Sequence, residues 1–326
     1  MRIGIDLMGG DTPPTHLFEG VYSAAAELEP SHTLVLYATP NVIGKIAPRC
    51  QKNSRSAQIE CVPCPDVIEM EEEPVASVKR KPQASLVVGL EALANRTIDG
   101  FVSCGNTGAL VAAAVLHLNK FPKVLRPALV ATLPSEKGPV VVIDVGGSTT
   151  SKARHLIQFA LLGSVYQQAI YQVQRPRVGL LNIGVESKKG REEIQAAYHQ
   201  LEALSHQENR IIFAGNVEGR DIFKGDVDVI VTDGFTGNVL LKTAEGTAAF
   251  VFDVLKANRP SDPTTATLGK QLCDEQQCGA LLCGVDRLVM KVHGNATPQT
   301  LHRALLKAAA CIQSDCISQM ASLYTR

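Results

Sequence analysis

The chain has 326 residues, 45% of them apolar and 20% charged, and its 32 basic and 32 acidic side chains cancel to a formal net charge of +0. That length buries a full core in one or two domains, and the balanced charge argues against a nucleic-acid partner, which normally leaves a basic stripe. No apolar run reaches the length of a membrane span, the nearest being Ala109 to Leu118, and no export leader precedes the first strand, so the nine scattered Cys are expected to be reduced cytosolic thiols.

In chain order, Arg2 to Leu7 reads as a short apolar strand ending near Asp6, followed by the turn Met8-Gly9-Gly10-Asp11 and a helix to about Leu28. A carboxylate at the C-terminal end of a strand, followed by glycines, is a usual place for an α/β active site, although turn and cap chemistry explains Asp6 and Asp11 equally well. Thr33 to Tyr37 and Gln58 to Val62 are expected strands, with a short helix from Pro40 to Ala47 between them. Cys61-Val-Pro-Cys64 has redox or zinc spacing, but no second such pair completes a tetrahedral site, and chance spacing is the better reading. Glu69 to Glu73 is an acidic run and Lys79-Arg80-Lys81 a basic one, runs that usually read as solvated faces, and Pro82 to Asn95 is a helix with Pro in its first turn.

Gly100 to Ser103 is extended and apolar, and Ala109 to Asn119 is helical; between them lies Ser103-Cys-Gly-Asn-Thr-Gly-Ala109. A strand, a glycine turn and a helix start put backbone N–H groups at one point, a place for an anion such as phosphate or simply a capped turn. Ala128 to Thr132 and Val140 to Asp144 are further strands, the second running into Asp144-Val-Gly146-Gly147-Ser148. A long helix from Lys152 to Ile170, a strand from Arg177 to Ile183, a helix from Arg191 to Leu204 and a strand from Ile211 to Ala214 follow. The β-branched run Val227 to Thr232 enters Asp233-Gly-Phe-Thr-Gly-Asn238 and then a helix to about Lys256, the second clear strand, glycine turn and helix. Residues 258–269 read as an exposed polar linker, Arg287 to Val292 as a strand ending at Lys291, His293 and Gly294, and Pro298 to about Tyr324 as one closing amphipathic helix. Strands alternating with helices predict a mostly parallel sheet in a single α/β unit.

Six turns, in order, carry a resemblance: Asp6-Leu-Met-Gly-Gly-Asp11, Ser103 to Ala109, Arg126-Pro-Ala-Leu129, Leu181-Asn-Ile-Gly184, Asp233 to Asn238 and Lys291-Val-His-Gly294. Together they resemble the signature turns of the bacterial phosphate acyltransferases of phospholipid synthesis, over nearly the whole chain. The resemblance implies a three-layer α/β/α sandwich of the isopropylmalate dehydrogenase type, usually a homodimer. It also implies transfer of a fatty acyl group from acyl carrier protein to inorganic phosphate without a cofactor or metal. The chain departs from the pattern at Ser148 and Thr150, where relatives have Asn and Asp, and Cys104 stands where many have Ala, so no Cys nucleophile is implied.

On this reading Gly105, Asn106, Thr107 and Gly108 hold phosphate, as do Gly234, Thr236 and Gly237, which alternatively hold the oxyanion. Lys291 or Lys189 balances charge, and His293 and Asn238 join Lys291 as catalytic candidates, with a packing role for His293 equally weighted. Asp6, Asp11, Asp144 and Asp233 orient turns rather than touch phosphate, because like charges repel. An acidic carrier protein needs a basic dock, for which Lys79, Arg80 and Lys81, and Lys188, Lys189 and Arg191, are the candidates, each group also readable as ordinary solvated surface. Asn106→Asp is expected to keep the fold and to weaken phosphate binding. The polar stretch from Asn258 to Gln277 predicts weak or indirect membrane association for an otherwise cytoplasmic enzyme. Two alternatives stay open: a phosphotransacylase that uses acyl-CoA, and a relative that binds acyl carrier protein without turnover.

Overall fold

Runs of aliphatic and β-branched residues become strands buried on both faces, which is why the strand Thr33–Ala38 is buried along its full length and why Ile3 and Ile5 of the strand Arg2–Asp6 have no exposed surface. The computed structural model describes residues 1–50, 56–207, 210–258 and 279–325. The expected polar linker lies outside the described residues from position 259 onward, as does most of the stretch expected to meet a membrane. Among the described residues no helix is long and apolar enough to cross a membrane.

In order, the elements are β1 (Arg2–Asp6), α1 (Pro14–Glu27), β2 (Thr33–Ala38), α2 (Pro40–Ile46), β3 (Gln58–Pro63), α3 (Pro74–Arg80), α4 (Ser85–Ala94), β4 (Gly100–Ser103) and α5 (Thr107–His117). Next come β5 (Ala128–Leu133), β6 (Val140–Ile143), α6 (Ala153–Tyr171), β7 (Arg177–Asn182), α7 (Glu192–Gln207), β8 (Ile212–Glu218), β9 (Val229–Val231) and α8 (Gly234–Asn258). The chain closes with β10 (Ala280–Cys283), β11 (Leu288–Lys291), α9 (Pro298–Gln313) and α10 (Cys316–Thr325).

The expected α/β chain contains two compact units: unit 1 comprises Met1–Pro122 and Gln277–Ala321, and unit 2 comprises Lys123–Gln276 and Ser322–Arg326. In unit 1 the strands run in the order β3-β2-β1-β4-β11-β10, all neighbours parallel except β10 and β11. In unit 2 the order is β5-β6-β9-β7-β8, parallel except for β5 and β6. That antiparallel pair is a hairpin whose Pro134-to-Pro139 loop is pinned by the Ser135 hydroxyl donating to the Gly138 carbonyl at 2.6 Å.

Three local expectations change. The acidic run is not simply a solvated face, because Glu73 caps α3 by accepting from the N–H groups of Val75 and Ala76. The helix expected from Pro82 begins at Ser85, after α3 has ended. The single closing helix is broken between α9 and α10, where Asp315 sits at φ 52°, a left-handed conformation that no α-helix continues through. β10 had no separate signal, since four apolar residues after a glycine suit a loop or a helix as well.

Helix α1 crosses the start of α9 within unit 1, and Gly20 makes this possible: a Cβ there would lie 2.1 Å from the Pro298 carbonyl oxygen. Backbone cannot yield as a flexible side chain does. Gly20→Ala is therefore expected to cost about 1–3 kcal/mol of stability, read as a lowered urea midpoint with an unchanged slope.

Candidate active site

In unit 1, β1, β4 and β11 are parallel neighbours whose register sets Asp6, Ser103 and Lys291 abreast at their C-terminal ends. Three of the six signature turns leave the sheet from these strands. Asp6, 1% exposed, accepts from the hydroxyls of Ser85 at 2.7 Å and Ser103 at 2.8 Å and from the Met8 N–H at 3.0 Å. Burial pushes the Asp6 carboxyl upward, while these donors and the Lys291 charge act the other way. Lys291 is 7% exposed and donates through Nζ to the carbonyls of Cys104, at 3.5 Å, and Val292.

The three turns touch one another. The Gly105 N–H donates to Ser103 Oγ at 3.1 Å, and a Cβ on Gly105 would stand 3.1 Å from the Met8 carbonyl oxygen. The Gly294 carbonyl accepts from the N–H groups of Asp11 and Thr12 at 2.8 and 3.2 Å, which joins the first turn to the last and places half-buried His293 beside them. Thr107 opens α5, and Gly108 lies close against Pro74 of α3. Cys104 is fully buried and its thiol is pushed up to about 12, so it is no nucleophile at neutral pH. Cys61 points toward Cys50, sulfur to sulfur 3.9 Å, rather than toward Cys64.

Asn106 is engaged at both ends of its amide. Its Oδ1 accepts from the Ala109 N–H at 3.0 Å as the cap of α5, and its Nδ2 faces the carbonyls of Glu69, Met70 and Glu72 at 3.2, 3.0 and 3.3 Å. The side chain thus shapes the loop and ties it to the 69–72 turn. In that turn Glu72 holds both Arg80 and Lys81, and Lys81 also donates to the Val67 carbonyl at 2.7 Å. The Glu69 N–H and Lys81 hold the Glu72 carboxyl down to about 2. Of the basic triplet, exposed Lys79 has no such tie to Glu72.

Unit 2 repeats the arrangement on β6, β9 and β7, with Ile143, Val231 and Leu180 abreast. Asp144, just after β6, has no exposed surface and accepts from the N–H groups of Leu129 and Gly147 at 3.0 and 2.9 Å and from Ser148 Oγ at 2.8 Å. Burial raises its carboxyl and these bonds lower it. Ser148 Oγ in turn accepts from the Gly234 N–H at 3.3 Å, so Ser148 joins the Asp144 turn to α8. Gly237 lies directly on that turn, since a Cβ there would be 1.9 Å from the Asp144 carbonyl oxygen. Asp233 caps α8 by accepting from the Thr236 N–H at 2.8 Å and pairs with Arg191 at 2.5 Å. Arg191, a dock candidate by sequence, is thereby tied to the turn that opens α8. Lys188 and Lys189 are exposed in the turn after β7, which Asn182 closes by donating to the Lys189 carbonyl at 3.0 Å, and Asn238 is exposed one turn into α8.

Beside these turns lies a cleft of about 680 Å³ within unit 2, walled by Leu156, Leu180, Leu181, Ile194 and Val231, with Lys152, Arg191, Glu193, Asp233 and Thr236 among its polar lining. Of the candidates, unit 1 gathers Asp6, Asp11, Gly105, Asn106, Thr107, Gly108, Lys291 and His293. Unit 2 gathers Asp144, Lys189, Arg191, Asp233, Gly234, Thr236, Gly237 and Asn238. Sequence reading missed Ser85, which had no motif around it, and the cleft, whose walls come from four separate elements.

A family profile described as fatty acid synthesis protein matches residues 1–319. The phosphate acyltransferase of Thermoanaerobacter pseudethanolicus is 35% identical over 331 residues, covering 98% of this chain and 96% of that protein. That of Brevibacillus brevis is 37% identical over 327 residues, covering 97% and 95%. Among solved structures, a phosphotransacetylase from Streptococcus pyogenes superposes with a TM-score of 0.61 at 14% identity, covering 96% of this chain and 94% of that one, a likeness of fold.

The contacts of Asn106 reverse the expectation that Asn106→Asp keeps the fold intact. The change sets a carboxylate oxygen against backbone carbonyls that now receive a donor. A loss of about 1–3 kcal/mol follows, measured as a lower melting temperature, whereas Asn106→Ser keeps a capping oxygen and is expected to lose less.

Proposed function

The chain belongs to the fatty acid synthesis protein family of phosphate acyltransferases, and from that premise we propose that it moves a fatty acyl group from the thioester of an acyl carrier protein to inorganic phosphate. A phosphate oxygen attacks the thioester carbonyl, the tetrahedral intermediate collapses, and the carrier leaves as its thiolate, giving acyl phosphate and free carrier thiol. Phosphate is already a capable nucleophile near neutral pH, and a thiol of pKa roughly 8.5 is a good leaving group. The protein's work is therefore to position the reactants and to stabilise charge.

The observation that carries this reading is the junction in unit 1, where three glycine turns meet at the start of α5 beside Lys291. There the Gly105-to-Gly108 loop takes phosphate on backbone N–H groups, assisted by the positive end of the helix. Lys291 offsets the charge of Asp6 and keeps it from opposing the phosphate. His293 supplies a proton to the departing thiolate. Unit 2 has a second glycine turn at a helix start, from Gly234 to Asn238, which by itself also favours negative charge. The enzyme acts in the cytoplasm as a homodimer, with weak attachment to the inner face of the membrane.

Incubating the protein with a long-chain acyl carrier protein thioester and phosphate is expected to release carrier thiol only when phosphate is present, and hydroxylamine added afterwards is expected to trap the acyl phosphate as hydroxamate above the background from direct attack on the thioester. No product from either carrier protein or CoA thioesters would overturn the reading, and product from CoA alone would replace the donor. The exposed pair Lys188 and Lys189 is the better of the two docks, because Glu72 already holds Arg80 and Lys81. The double change Lys188→Glu and Lys189→Glu is expected to raise the KM for the carrier thioester several-fold at low salt and to flatten its salt dependence. Lys79→Glu is expected to do less. Unchanged values in the double variant would put the dock elsewhere.

A further inference from the structure

We infer that the cleft of unit 2 is the binding site for the hydrocarbon tail of the acyl donor, an inference that rests on the acyl transfer proposed above. Its volume, about 680 Å³, is that of a ligand site rather than a packing defect. Its walls are aliphatic and come from four elements: Leu156 of α6, Leu180 and Leu181 of β7, Ile194 of α7 and Val231 of β9.

The charges in the cleft decide what it accepts. Lys152 and Arg191 face two carboxylates, Glu193 and Asp233, so the lining carries no net charge. Both carboxylates are already engaged, Asp233 by Arg191 and by the Thr236 N–H, Glu193 by the Ala153 N–H at 2.7 Å. Of the two cations Arg191 is paired with Asp233, which leaves Lys152 alone to set against a phosphate that would also meet two carboxylates. An uncharged chain meets no such opposition and covers aliphatic surface that otherwise faces water.

Asp233 and Thr236, at the start of α8, line one part of the cleft. Ile183, also in the lining, is 80% exposed, and Val185 two residues on is 60% exposed. Large apolar side chains so placed beside an apolar cleft offer a surface over which a longer chain can lie. With the tail along β7 and α7, each further methylene buried is worth roughly a fourfold gain in affinity. The cleft therefore sets a preference for long chains.

The test is a cleft-filling change read against chain length. The sequence has no Trp, so Ile194→Trp places a single fluorophore in the wall. With palmitoyl and butyryl thioesters of acyl carrier protein as donors, the palmitoyl-to-butyryl ratio of kcat/KM is expected to fall at least tenfold in this variant. Leu181→Phe, a smaller change at a half-buried position, is expected to lower the ratio in the same direction. Palmitate is expected to shift the emission of the new Trp, and butyrate to leave it unshifted. An unchanged ratio in folded variants overturns the inference. So does an equal loss with both donors, which would assign the cleft to the pantetheine arm of the carrier. If wild type makes no acyl phosphate from any donor, the proposed function fails, while the palmitate titration still decides whether the cleft holds a chain.

Discussion

A carboxylate buried at the end of a parallel strand is costly, and each unit of this protein is arranged around one. Asp6 and Asp144 have almost no exposed surface, and each recovers its lost hydration from hydroxyl and backbone N–H donors supplied by neighbouring segments. Those donors can reach only if the adjoining turns lie in one arrangement. Asp6 draws in the starts of α4 and the 103–105 turn, and Asp144 draws in the start of β5 and its own glycine turn. Through Ser148 it reaches the first N–H of α8 as well. The acids thereby fix the backbone around them.

Register does the rest. In unit 1 three adjacent strands end level at Asp6, Ser103 and Lys291, and in unit 2 three end level at Ile143, Val231 and Leu180. Parallel strands that end together deliver their turns to one edge of a sheet, the usual position of α/β ligand sites. The signature turns sort by unit in the same way. The first, second and last belong to unit 1, and the three between them to unit 2.

The strands and glycine turns were legible because their signals are local: aliphatic runs of four to seven residues, then Gly with Asp, Asn or Thr. The two-unit division was not, because composition does not change at Pro122 and Lys123 and because the chain returns to unit 1 after residue 276. Long-range partners were equally hidden. Nothing near Ser85 marks it as a donor to Asp6, 79 residues away, and nothing near Ser148 marks it as the partner of the Gly234 N–H, 86 residues on. Asn106 was recognisable as a cap, but its grip on the 69–72 turn depends on a contact more than thirty residues distant. Charge runs were the least legible feature, since Glu72 converts two members of a basic triplet into internal partners.

The route of the chain through unit 1 also orders events in time. β4, which runs into the 103–109 glycine turn, pairs on one side with β1, made early, and on the other with β11, made more than 180 residues later. On the ribosome, where chains emerge at about 5–20 residues per second, unit 2 has nearly all of its segments before β11 exists. Until then one edge of β4 lacks its partner strand and the Asp6 carboxylate lacks the Lys291 charge. The nascent protein must therefore carry an incomplete sheet with an acidic centre through most of its synthesis, which makes this edge the natural point for a chaperone or a premature pairing to act.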